Sequence, residues 1–120
     1  MEQTKYQTIN VIIEAGSSGQ KDQPFNLDTR YARVTGFCVY EKSGENVGYD
    51  CSLGEDNRVY NDFADKRDFI PGSGVPLKDR YKPVDIENNN QTLYFRVRPD
   101  VNPVPEKVQL QLVLKLEGEK

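Results

Sequence analysis

Glu106-Lys107-Val108-Gln109-Leu110-Gln111-Leu112-Val113-Leu114-Lys115-Leu116 is the stretch whose reading decides the fold. Val108, Leu110, Leu112, Leu114 and Leu116 fall on one parity, and Lys107, Gln109, Gln111 and Lys115 on the other. Successive side chains of a strand point to opposite sides, so a period of two predicts one long strand with one buried face. At the helical period of about 3.6 the same leucines would be smeared around the whole circumference. Everything upstream reads as partners for this strand.

Working back from it, Pro99, Pro103 and Pro105 punctuate a link, because proline cannot donate to a ladder. Gln91 to Arg98 is the next strand, with Leu93, Phe95 and Val97 inward and Thr92, Tyr94, Arg96 and Arg98 outward. Asn88-Asn89-Asn90 is a turn, since asparagine tolerates the left-handed backbone. Before it, Tyr81 to Glu87 carries Val84 and Ile86 on one face, and the short turn predicts a hairpin between the two strands.

At the other end, Tyr6 to Glu14 is a strand with Ile9, Val11 and Ile13 on one face, Gln7 in line with them, and Ile12 breaking the alternation. The small polar run Gly16 to Asp22 is an exposed turn or loop that leads into an extended Pro24-Phe25-Asn26-Leu27. A glycine-rich loop cradles phosphate when it opens a helix, which this one does not. Arg33 to Glu41 is an interior strand, with Val34, Cys38 and Tyr40 on one face and Phe37 and Val39 on the other. Ser43-Gly44-Glu45-Asn46 has glycine where a type II′ hairpin needs positive φ, so Val47 to Leu53 is expected to pair back on it. That register sets Cys38 opposite Cys51, either as a strained cross-strand disulfide or as two small apolar side chains, and the reduced pair is the expectation.

The middle, Gly54 to Arg80, is the least regular third. Val59-Tyr60 reads as a short strand, and Asn61 or Asp62 as the cap of one or two helical turns through Phe63, Ala64 and Phe69. Pro71 to Pro76 is a loop by composition. Six strands and one to three short ones follow, without helical crossovers. The expected fold is one all-β domain over residues 1–120, an antiparallel β-sandwich of about seven to nine strands with jelly-roll or immunoglobulin-like topology.

The composition narrows the function. A chain of 120 residues is one domain by size and needs no metal or disulfide staple. Its net charge of −3 argues against a general nucleic-acid binder, which needs a basic footprint to displace counterions. Apolar runs are too short for a membrane span, and no basic segment followed by an apolar run opens the chain, so synthesis in a cytosol is expected. Histidine is absent, which removes the commonest general base and metal ligand together. Two cysteines without histidine cannot complete a zinc site.

No catalytic residues, metal ligands or cofactor are therefore expected, and the chain does not read as an enzyme. The acids Asp50, Glu55, Asp56, Asp62, Asp65 and Asp68 lack the spacing of a calcium loop and read as solvated charge. Asn90-Gln91-Thr92 matches a glycosylation acceptor, which matters only in a secretory setting. The outward stripe Tyr94, Arg96 and Arg98, with Arg80 and Tyr81 close to the expected hairpin partner, is the candidate interface. Arginine and tyrosine are the residue types enriched at protein interfaces.

Phe25-Asn26-Leu27-Asp28, Tyr31-Ala32-Arg33-Val34-Thr35-Gly36, Arg80-Tyr81-Lys82-Pro83-Val84, Tyr94-Phe95-Arg96-Val97 and the leucine-rich closing strand together give the chain a recognisable texture. In size and style it resembles small β-sandwich structural proteins of bacteriophage virions, of the capsid auxiliary, decoration or penton type. The resemblance implies a non-enzymatic virion protein that attaches to or completes the capsid, made in the host cytoplasm. Its partners would be other capsid proteins and possibly further copies of itself, with neither nucleic acid nor membrane. A carbohydrate- or ligand-binding module on the same sandwich is the alternative reading.

Overall fold

The structure, a computed structural model, describes residues 4–72, 74–76 and 79–120; Ser73, in the expected 71–76 loop, lies outside them. Among the described residues eight strands follow one another: β1 (Thr4–Ile13), β2 (Lys21–Asn26), β3 (Tyr31–Ser43), β4 (Tyr49–Gly54), β5 (Val59–Asp65), β6 (Lys82–Glu87), β7 (Thr92–Pro99) and β8 (Val108–Glu119). They form two four-stranded antiparallel sheets. The first has the order β1-β8-β3-β6 and the second β2-β7-β4-β5.

The pairs nest as β1 with β8, β2 with β7, β3 with β6 and β4 with β5, so the chain is one long hairpin folded over on itself. Every connection except β4 to β5 crosses between the sheets. That order is a jelly roll and not an immunoglobulin sandwich. The closing strand does what its period requires: Val108, Leu110, Leu112, Leu114 and Leu116 are buried between the sheets. Leu93, Phe95 and Val97 meet them from β7, and Val11 and Ile13 from β1. Gln7 sits in line with these and closes the flank, donating to the Asn26 carbonyl at 2.9 Å and accepting from Asp28 N at 2.9 Å.

The two expected hairpins do not form. Gly44 has the positive φ foreseen for it, +87°, and Val47 N donates to its carbonyl at 2.9 Å. The strand that follows has no edge to return to, however, because β3 is already flanked by β8 and β6. The turn instead packs on β8, so closely that a Cβ on Gly44 would lie 2.6 Å from Val108 Cγ2, and the chain passes into the second sheet. The same holds between β6 and β7: Asn90 turns in the left-handed region at φ 61°, but both sides of β7 are occupied by β2 and β4. Cys38 therefore faces Val113, Cys51 faces Val97 and Ala64, and both are free buried thiols.

Three further expectations are corrected. A β-bulge between Val34 and Gly36 skips Thr35 in the ladder, so Val34 opposes Leu116 and joins Phe37 and Val39 in the core instead of Cys38 and Tyr40. Residues 21–26, read as the end of a loop and an extended segment, form β2, where Pro24 is tolerated because the strand is an edge. Phe63 and Ala64 belong to β5 and not to a helix. The short 3-10 turn, Lys66–Asp68, comes later and is capped by Asp65, whose carboxylate accepts from Arg67 N at 2.9 Å.

Candidate interaction faces

The stripe Tyr94, Arg96 and Arg98 does share one face, the outer face of the second sheet. Across the strands its rows run Asp22–Arg96–Ser52, Pro24–Tyr94–Gly54 and Arg98–Asp50–Asp65. Each cation there is engaged by its own chain. The Arg96 guanidinium lies 4.9 Å over the Tyr94 ring, donates to the Glu55 carbonyl at 3.2 Å, and approaches Asp22 at 3.9 Å; its side chain is 16% exposed. Arg98 lies 4.1 Å over Phe63 and pairs with Asp50 at 3.3 Å. These contacts staple β2, β7, β4 and β5 across their outer surface.

Arg80 and Tyr81 are not beside that stripe. They lie in the loop that leads into β6, at the edge of the first sheet. Arg80 is tied to its own loop through Nε to the Val75 carbonyl at 2.9 Å. Tyr81 lies on the outer face of the first sheet, where Gly36 makes room for it: a Cβ there would be 3.0 Å from Tyr81 Cβ. Its ring reaches Tyr6 with centroids 5.4 Å apart. Burial, and then the neighbouring Cys38, Tyr40 and Tyr6, push its phenol up to about 12.

The rows of this second face have different chemistry. They read Tyr6–Lys115–Gly36, Thr8–Val113–Cys38, Asn10–Gln111–Tyr40 and Ile12–Gln109–Ser43. Lys115 is the charged member of these rows, and Glu117 neutralises it at 3.3 Å. Cys38 and Val113 are buried although they point away from the core, while Tyr6 and Ile12 stand out at 47% and 40% exposed. Burial raises the Cys38 thiol above its ordinary range, which keeps it protonated and apolar. Sequence reasoning missed this face as a unit. The signal for it was Ile12, an apolar residue on the parity otherwise given to solvent.

The acidic residues of the middle are distributed and not convergent. Asp50 holds Arg98, Asp65 holds Arg67, Asp68 reaches Lys82, and Glu55 accepts from the Tyr60 hydroxyl. Among the described residues no group of three or more acids and cysteines is placed to hold a metal ion. The most enclosed charged pair is Glu41 with Lys66, 3.1 Å apart at one end of the sandwich. Glu41 also accepts from the Tyr49 hydroxyl at 2.6 Å, and Lys66 donates to the carbonyls of Glu45 and Val47. With the Lys66 ammonium bonded three ways, the cluster fastens the β3–β4 crossover.

A polar cleft of about 200 Å³ lies at the β5–β6 flank, lined by Arg33, Arg58, Tyr60, Asp85, Glu87 and Asn89. Arg58 sits 5.0 Å over the Tyr60 ring, which covers a face that a sugar would otherwise use for stacking. No known protein family, curated protein or solved structure matches the chain.

Proposed function

We propose that this chain is a non-enzymatic structural protein of a bacteriophage virion, which attaches to or completes the capsid through protein–protein contacts. The observation that carries the reading is the outer face of the first sheet. In a chain with 29% charged residues, four successive rows across three adjacent strands present tyrosine, isoleucine, valine, cysteine and neutral amides around one neutralised lysine, with charge returning in the Thr4–Glu117–Arg33 row at one end. Water gains little from hydrating such a surface, and a protein partner gains area and hydrogen bonds from covering it.

Tyr81 belongs to this docking face, with Tyr6 and Tyr40. Tyr94, Arg96 and Arg98 support it from behind by holding the second sheet rigid, because both guanidinium groups are already committed within the chain, one of them over the Tyr94 ring. The jelly roll suits the role, since nested pairing gives a stiff slab with polar turns at both ends. The virion itself enters through the resemblance of the sequence to small phage structural proteins.

Quantitative mass spectrometry of density-purified particles of the phage that encodes the chain tests the reading. A fixed copy number per particle, retained after salt washing, is the expected result. Absence from intact particles would overturn it. Saturable binding on a glycan array, in a chain absent from particles, would replace it with the ligand-binding alternative.

A further inference from the structure

A two-layer sandwich has four edges, and each exposes unpaired backbone donors and acceptors that invite another strand. Three of the four are blunted here. β2 is six residues long and carries Lys21, Asp22 and Pro24. β6 is equally short, with Lys82, Pro83, Asp85 and Glu87, and its ladder to β3 shifts register. β5 carries Asp62 and Asp65, and its ladder to β4 is broken by two register shifts.

β1 has none of these devices. It runs ten residues in unbroken register with β8, contains no proline, and carries one charged residue, Lys5, which is held by Asp28 at 2.6 Å. Among the described residues it pairs with β8 alone, so alternate N–H and C=O groups point away from the sheet. It also holds two of the large hydrophobic residues that the molecule leaves exposed, Tyr6 and Ile12.

We infer that the free edge of β1 pairs antiparallel with β1 of a second copy about a two-fold axis at Ile9, joining two four-stranded sheets into one of eight. The sequence of the strand is what selects a second copy. Even-numbered residues face outward and odd-numbered ones inward, so the inner and outer faces stay continuous only in registers that match like parity. Centring on Ile9 sets Tyr6 opposite Ile12 of the other copy, twice, with Thr8 opposite Asn10 between them. On the inner side Gln7 meets Val11, and Lys5 meets Ile13. Each exposed hydrophobic residue gains a cross-strand partner of the aromatic and β-branched kind that stabilises sheets, and no like charges face one another. Centring on Thr8 instead would set Tyr6 against Asn10 and Ile12 against Thr4, so that neither exposed hydrophobic residue meets the other. A two-fold contact is self-complementary and closes, so it gives a dimer and not a fibre.

This dimer doubles the width of the sparsely charged face without depending on the virion reading. Light scattering on a size-exclusion column, across a concentration series, is expected to give twice the chain mass of 13.7 kDa. Thr8→Lys with Asn10→Lys alters only exposed positions and sets lysine against lysine in this register; it is expected to halve the mass while circular dichroism and melting of the monomer stay unchanged. Thr8→Glu with Asn10→Glu is expected to do the same, and mixing the two variants to restore the doubled mass with one copy of each. A wild-type monomer throughout the series would overturn the inference, as would a dimer that either double variant leaves intact. Neither result bears on whether the chain is found in particles, which scores the function separately.

Discussion

The two sheets of the sandwich share a core and differ in what they turn outward. The second sheet satisfies the cations of its surface from within, with Arg96 laid over Tyr94 and Arg98 over Phe63 and carboxylates in both rows, and its exposed apolar residue, Val59, stands apart at the start of the edge strand β5. The first sheet does the reverse, leaving Tyr6 and Ile12 exposed beside buried Cys38 and Val113. Arginine and tyrosine mark a contact surface only where their polar groups are still free. The richer stripe in sequence is therefore the quieter face in structure, and the plain one is the docking candidate.

The largest effect should come from moving charge onto the wrong face. Cys38→Asp buries a carboxylate beneath the first sheet's outer layer with no cation in its row, and is expected to cost about 3 kcal/mol or more in urea unfolding. Ser52→Asp, almost as buried but opposite Arg96, is expected to cost distinctly less. Equal losses would erase the contrast between the faces.

Next, Arg96→Ala removes the staple of the second sheet. Its loss is expected at about 1–2 kcal/mol, since a mostly buried stem, a ring contact and a carbonyl bond go together. Arg96→Lys should recover only part of this, because an ammonium group cannot lie flat on Tyr94 while reaching Glu55. Arg98→Ala, at 52% side-chain exposure, is expected within about 0.5 kcal/mol of wild type.

The smallest effect concerns the seam between the sheets. Asp28, in the β2–β3 loop, accepts from Arg30 and from Lys5 of β1, and these two bonds hold its carboxyl well below the usual carboxylate range. A depressed acid contributes stability above its unfolded pKa of about 4, and the contribution is lost as pH falls below that toward the folded value. The melting temperature of wild type should therefore fall more steeply below pH 4 than that of Asp28→Asn, and parallel acid limbs would refute the role.

Period-two patterning made β8, β7 and β1 legible, because burial on one side is a local property of the residue string. The partner of each strand was not legible. Gly44 and Asn90 announced turns correctly, yet a turn does not say whether the next strand finds a free edge, and here both β3 and β7 were already flanked on each side. The Thr35 bulge changed the face of Val34, and Gly36, the strand-interior glycine that bounds it, was the local sign that parity alone did not use. For the candidate site, parity was enough to place Tyr94, Arg96 and Arg98 together. It could not show that Asp22, Phe63 and Glu55 come from three other parts of the chain to occupy them, or that Tyr81 lies on the opposite side.

Oxidative footprinting of tyrosines, in purified particles against the isolated chain, tests the central claim most directly. The account predicts that Tyr6, Tyr40 and Tyr81 lose reactivity on assembly while Tyr94 keeps the reactivity it has in solution. Protection of Tyr94 with Tyr6 and Tyr81 unchanged would put the contact on the second sheet and contradict it.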